Sequence, residues 1–239
     1  MTWPFENDTS GIVKRISNRS ISANRKRNIF IILTIALASA LLSAIVLYGF
    51  GVMQETQNRN QKTAQIMYHA ISEQQGQELY KQEEIAWVGE FFNAFSEQVN
   101  HSTVNFTYAN ADMLKSQSMP YSGDLPASEN EIVVQESFLD SLGYSNELGQ
   151  TIQIPFSDGT THDFKLTGIL DVKTGDIGRY TAIISKELVR QQYGDEGMID
   201  YYIGLKGAQN MSEEEATNYA NTLAQQLKIS DDNVIMETN

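Results

Sequence analysis

Cysteine is absent from the 239 residues, which removes disulfide staples, thiolate metal sites and any cysteine nucleophile. A folded exterior part must then rest on its core alone, and the length is enough for one to two domains. Histidine is scarce. His69, His101 and His162 fall in different expected elements and at no ligand spacing, so they read as surface or loop residues. No G-x-x-x-x-G-K-[ST], G-x-G-x-x-G or G-x-S-x-G occurs, so if ATP is used another chain binds it. "DVKTGDIGRY", with Asp171 and Asp176, lacks the spacing and distal glutamate of a calcium loop and reads as a turn between strands. Asp231-Asp232 reads as a solvated turn, and the N-x-[ST] triplets at Asn100, Asn105 and Asn210 are given no role. With no carboxylate pair singled out either, no catalytic, cofactor-binding or metal-binding residue is assigned. No cofactor is expected, and the chain is not expected to be an enzyme.

Basic residues are few and unevenly placed. Net charge is −13 overall, yet residues 1–28 carry six basic and two acidic side chains, net +4, leaving 11 basic and 28 acidic, net −17, in the rest. The acidic remainder argues against nucleic acid, which needs clustered Lys and Arg. The short basic arm suits a membrane surface.

One long apolar run is present, at residues 29–53. A helix rising ~1.5 Å per residue over this stretch crosses the ~30 Å hydrocarbon core with some tilt to spare. A signal peptide has an apolar region of only ~7–15 residues and a small-residue cleavage site beyond it. Here Ala38-Ser39-Ala40 lies inside the run, and Gly51-Val52-Met53-Gln54 is a poor site. A buried helix of a soluble protein needs an amphipathic period that the run lacks. Arg25-Lys26-Arg27 directly before it puts the N-terminus in the cytoplasm and everything after about Gln54 outside. No later segment reaches 18 apolar residues, so a single crossing of the cell membrane is expected. Ala36, Ala38, Ser39, Ala40, Ser43, Ala44 and Gly49 suit close approach of another helix; the alternative is that small residues are merely tolerated there. Ahead of the run, Ile12, Val13, Ile16 and Ala23 share one helical face, and Lys14, Arg15, Asn18 and Arg25 the other. That pattern fits a helix lying on the inner membrane surface with Ser10 placed to cap it; the alternative is an unstructured positive tail.

Beyond the run, Ile66, Met67, Ala70, Ile71, Leu79 and Tyr80 recur at helical intervals, so a helical stalk is expected over residues 54–82. The period then shifts toward strands at 85–88, 103–108, 131–134, 151–154, 163–170, 180–184 and 201–205. Ser157-Asp158-Gly159 signals a hairpin, while Pro120 and Pro126 around "YSGDLPASEN" mark a loop. Near the end, Ser212 and Glu215 form a capping box, and Ala216, Tyr219, Ala220, Leu223 and Leu227 make one apolar stripe that packs on the sheet. Mixed strands and helices of this kind indicate an α+β domain.

The block "LPASENEIVVQESFLDSLGYSNELGQTIQIPFSDGTTHDFKLTGIL", residues 125–170, resembles the extracytoplasmic core domain of FtsX-like and MacB-like ABC transporter permeases. The family order is a proline turn, "N-E-I-V-V", a short helix, "L-G-x-x-I", a hairpin and a strand ending "V/T-G-I-L". It is met here at Leu125-Pro126, Asn130 to Val134, Ser137 to Leu142, Leu148-Gly149 to Ile152 and Thr167 to Leu170. "IVKRISNRSISANRKRNIFIILTIALASALL" resembles the family's cytoplasmic helix and first span, so the likeness runs from about Ile12 to Ile235. It implies a cytoplasmic segment at 1–28, a transmembrane helix at 29–53, a stalk at 54–82 and an extracytoplasmic α+β core domain at 83–239. It further implies a homodimer or permease pair, a separate cytoplasmic ABC ATPase, and an extracellular substrate or protein partner. Such permeases carry three or more further spans after the exterior domain, and this chain stops at Asn239 without them. The expected function is the N-terminal part of such a permease, for export or mechanotransmission. The alternative is a single-pass membrane protein with an extracellular ligand- or partner-binding domain.

Overall fold

Uniform hydrophobicity makes a long helix at the N-terminal end, and alternating hydrophobicity makes a sheet after it. The computed structural model describes residues 9–172, 179–194 and 199–237. The chain divides into two units, Met1–Thr56 and Gln57–Asn239. In the first, α1 (Ser10–Ala23) has Thr9 at its cap position with no side-chain capping bond, so Ser10 is the first helical residue and not the cap expected of it. Ile12, Val13 and Ile16 are all exposed. Next comes α2 (Arg25–Lys62), which contains the whole apolar run. Its most apolar 18 residues have a mean hydropathy of 2.8, and Arg25–Val52 is the one stretch among the described residues long and apolar enough to cross a membrane.

The second unit continues with β1 (Ile66–Tyr68), α3 (Glu73–Leu79), β2 (Ile85–Val99), β3 (Ser102–Ala109), α4 (Ala111–Ser116), β4 (Tyr121–Gly123), β5 (Glu131–Gln135) and α5 (Glu136–Leu142). Then follow β6 (Thr151–Pro155), β7 (Thr161–Leu170), β8 (Arg179–Ile184), α6 (Lys186–Tyr193), β9 (Asp200–Leu205), α7 (Glu213–Leu227) and β10 (Val234–Met236). The strands form one mixed sheet in the order β10-β1-β9-β2-β3-β8-β5-β7-β4, with β6 paired to β7. Alternation sends Ile132 and Val134 to one face and Val133 to the other, and all three are fully buried. Burying each such side chain contributes ~1.5–3 kcal/mol.

Two cores share the first face. In the first lobe, Ile66, Tyr68, Leu79 and Ile203 pack with Ala220 and Leu223 of the expected α7 stripe. In the second lobe, Phe106, Leu166 and Ile184 of the sheet pack against Phe138 of α5 and Val189 of α6. On the opposite face α4 covers Val133, Leu170 and Ile183 through Met113 and Leu114. The Ser212–Glu215 capping box forms as expected. So does the β6–β7 hairpin, where the Asp158 carboxylate accepts from the Thr160 amide at 2.8 Å.

The structure departs from expectation in the stalk and at residues 121–123. The expected stalk over 54–82 is not one helix: α2 ends at Lys62, residues 66–68 form a strand, and helix returns only in the short α3, Glu73–Leu79. Ile66 and Tyr68 are both fully buried, and the strand is held by β9 on one side and β10 on the other. Tertiary pairing here outweighs a helical spacing carried by few residues. The exterior unit therefore begins well before residue 83. Residues 121–123, read as loop, pair with β7 as a short strand between the prolines. Asp231 and Asp232 are exposed and open a 3-10 turn, Asp231–Asn233, as the expected solvated turn. Asp176 lies outside the described residues.

Candidate functional site

Glu90 is the exception in a core-facing row. On β2, Val88 joins the first core and Phe92 packs against the second, so the alternate position 90 between them points into the seam of the two lobes. Glu90 is only 4% exposed there. A buried carboxylate is tolerable only when charged or hydrogen-bonding groups surround it. Tyr80 donates to Oε1 at 2.8 Å, Tyr108 donates to Oε2 at 2.6 Å, and Lys186 Nζ lies 2.9 Å from Oε2. Burial, and then the adjacent Glu90 charge, push the Tyr80 and Tyr108 hydroxyls well above their ordinary range, so both remain donors.

Local structure brings the other charges to the same seam. Ser185 caps α6 by accepting from the Leu188 amide at 3.1 Å, which puts Lys186 in the first turn and Arg190 one turn on. Ser72 and Gln75 form a capping box on α3, which fixes Glu73 in its first turn. Glu73 accepts from Arg190 and sits 3.3 Å from Lys186. Desolvation raises the Glu73 pKa, but the Arg190 hydrogen bond and the Lys186 charge outweigh it and hold the carboxyl below its ordinary value. Behind this cluster Gly76 lies against the Tyr201 ring, where an added Cβ would meet Cζ at 2.1 Å. Gly76, the single glycine of the expected stalk, thus serves close packing.

Asn110 organises the other side of β2. Its Oδ1 accepts from the Glu90 and Met113 amides at 3.0 and 2.9 Å, and its Nδ2 donates to Val88 O at 2.9 Å. One side chain extends the β2 ladder and caps α4. Beside α4 lies an open cleft of about 230 Å³ lined by Asn93, Asn105, Thr107 and Thr181 with Phe91 and Met119. Its amides and hydroxyls offer neutral hydrogen bonds.

The histidines stay apart. His69 Nδ1 is 2.7 Å from Asp200, His101 sits in the β2–β3 turn at φ 67°, and His162 packs 4.3 Å from the Phe156 ring. Among the described residues, no group of three or more His, Asp or Glu is placed to hold a metal ion. Sequence reading missed Glu73, Glu90, Lys186 and Arg190. The available signal was the acid at position 90 in the alternating row Val88-Glu90-Phe92.

The first and last strands of the exterior unit are neighbours. β1 runs antiparallel to β10 with Ile66 opposite Met236, and the Glu237 amide donates to Gln65 O at 3.0 Å. Chain enters and leaves this unit at one place. A family model described as the MacB-like periplasmic core domain matches residues 29–222, which takes in the apolar run as well as most of the exterior unit. The chain belongs to this family. Among solved structures, the periplasmic region of MacB from Actinobacillus actinomycetemcomitans is similar at TM-score 0.52 and 12% identity, over 74% of this chain and 88% of that one. The extracellular domain of the ABC-type transporter YknZ from Gram-positive bacteria is similar at 0.51 and 11%, over 74% of this chain and 100% of that one. A comparison with the curated proteins finds no match. The exterior unit is thus a MacB-like core domain, an extracytoplasmic domain of the ABC-permease type with the α+β fold expected of it.

Proposed function

We propose that the chain is the N-terminal part of an FtsX/MacB-type ABC permease. Its basic segment lies in the cytoplasm, α2 crosses the cell membrane, and the MacB-like domain works outside. A separate ATPase binds and hydrolyses ATP, and α2 carries the resulting motion to the exterior domain, which engages a substrate or partner protein. Two permease copies act together, and no residue of this chain is assigned a catalytic role.

The pairing of Ile66 with Met236 carries this reading, because a domain inserted between membrane helices must return its chain to the point of departure. A single-pass receptor has no such need. Absence of cysteine makes the topology directly testable. In intact cells a membrane-impermeant maleimide is expected to label Asn146→Cys and to spare Arg19→Cys. Purification of the full chain from its own membrane is expected to bring an ABC ATPase with it. Reversed labelling would sink the orientation, and recovery without any ATPase would favour the single-pass ligand-binding alternative.

A further inference from the structure

The two lobes of the exterior unit hang on opposite ends of β2. This strand pairs with β9 from Ile85 to Phe91 and with β3 from Phe91 to Val99, so the two ladders overlap at Phe91 alone. Chain passes between the lobes in β2 at Phe91, and the first lobe resumes at Asp200, the first residue of β9 and the register partner of Phe91. The first lobe is thus left and rejoined at neighbouring positions. A register irregularity follows at once, between Asn93 and Phe95, and such bulges bend a strand locally.

The faces of this junction differ. On one, α4 packs over Gly89, and Asn110 is bonded to Val88 and Glu90, which anchors it to the first lobe. On the other, the acids Glu73 and Glu90 belong to the first lobe, and the bases Lys186 and Arg190 to the second. Beside these ion pairs lies a small gap of about 20 Å³, room for a single water, between Ile71, Glu73 and Tyr201 of the first lobe and Lys186, Val189 and Arg190 of the second. The buried Tyr201 hydroxyl finds no hydrogen-bond partner there. The seam is held by charged side chains beside a water-sized space, whereas the core on either side of it is apolar.

We infer that Phe91 and Asp200 form a hinge and that Glu73, Glu90, Lys186 and Arg190 form a latch across it. The lobes pivot on the α4 face, and the opposite face opens when the ion pairs part. Opening hydrates Tyr201 and Glu90, which offsets the lost contacts. This device does not depend on the transport reading, because its readout is a distance.

Spin labels at Asn221→Cys on α7 and Asp140→Cys on α5 report the separation of the lobes in the full chain held in lipid nanodiscs. The parent is expected to give one short distance. Combining Glu73→Gln with Lys186→Met is expected to raise a longer-distance population about a hundredfold, carrying a minor state of ~0.1% into the measurable range. A folded variant with the parent's distances would overturn the hinge and leave the cluster a static brace. Should the double variant lose its far-UV circular dichroism, Glu73→Gln alone, which keeps Glu90 paired, decides through the thiol-labelling rate of Val189→Cys, buried at the seam in a chain with no other cysteine: a severalfold faster rate supports the latch, and an unchanged one overturns it.

Discussion

Leu37 and Leu166 carry the same side chain into opposite surroundings. Leu37 in α2 is 64% exposed, and Leu166 in β7 is fully buried. Among the described residues nothing in the first unit covers the apolar run, since its exposed residues include Ile29, Phe30, Leu33, Leu42 and Phe50, which together take in every side of the helix. In the second unit, apolar residues alternate with polar ones so that the chain covers itself. An all-apolar helix needs lipid as its solvent, whereas a period of two supplies its own interior. Hydrophobic content alone therefore says little about where a residue belongs; the period decides.

Paired substitutions should break the contrast if it is wrong. Phe106 is fully buried and stacks on Phe95 with ring centroids 4.6 Å apart, whereas Phe50 is 67% exposed. Phe106→Ala is expected to cost ~3–5 kcal/mol in denaturant unfolding of the exterior unit. Phe50→Ala should leave that transition where it was, and equal losses would end the distinction. Leu37→Arg addresses the other solvent. A mid-span arginine costs ~2.5–3.5 kcal/mol on the insertion scale, so membrane partitioning should fall while unfolding of the exterior unit is unchanged. Undiminished partitioning would refute the span.

Strength of period also explains what the sequence revealed. Residues 163–170 and 201–205 read as strands because alternate positions such as Leu166 and Ile203 are aliphatic and buried. The α7 stripe was equally legible, since Ala216, Ala220 and Leu223 repeat over several turns. β1 was not. Three residues hold too little pattern to oppose a helical spacing, and its partners lie more than 130 positions away in β9 and β10. The seam was hidden for the same reason. Glu73, Glu90 and Lys186 come from three elements, and only topology brings them together. Family resemblance supplied the order of elements in 125–170, but it did not mark these charges.

The smallest expected effect concerns the latch in acid. The Glu73 carboxyl is held below its ordinary value of 4.5 by the Arg190 hydrogen bond and the Lys186 charge, against the desolvation that raises it. A carboxyl lowered in the folded state adds stability above its unfolded pKa, and this stability is lost as pH falls through the folded value. Glu131 is lowered as well, chiefly by the Ala127 amide, so the whole unit should weaken in acid. Comparison with Glu73→Gln isolates the one group, because Glu131 is common to both proteins. Near neutrality the variant should be less stable by under about 1 kcal/mol, the range for solvent-screened ion pairs. Below pH ~4.5 the difference should shrink toward zero as Glu73 takes up its proton. Denaturant midpoints measured from pH ~6 to ~3 test this: a difference that stayed constant would mean that the ion pairs of Glu73 contribute nothing to holding the lobes together.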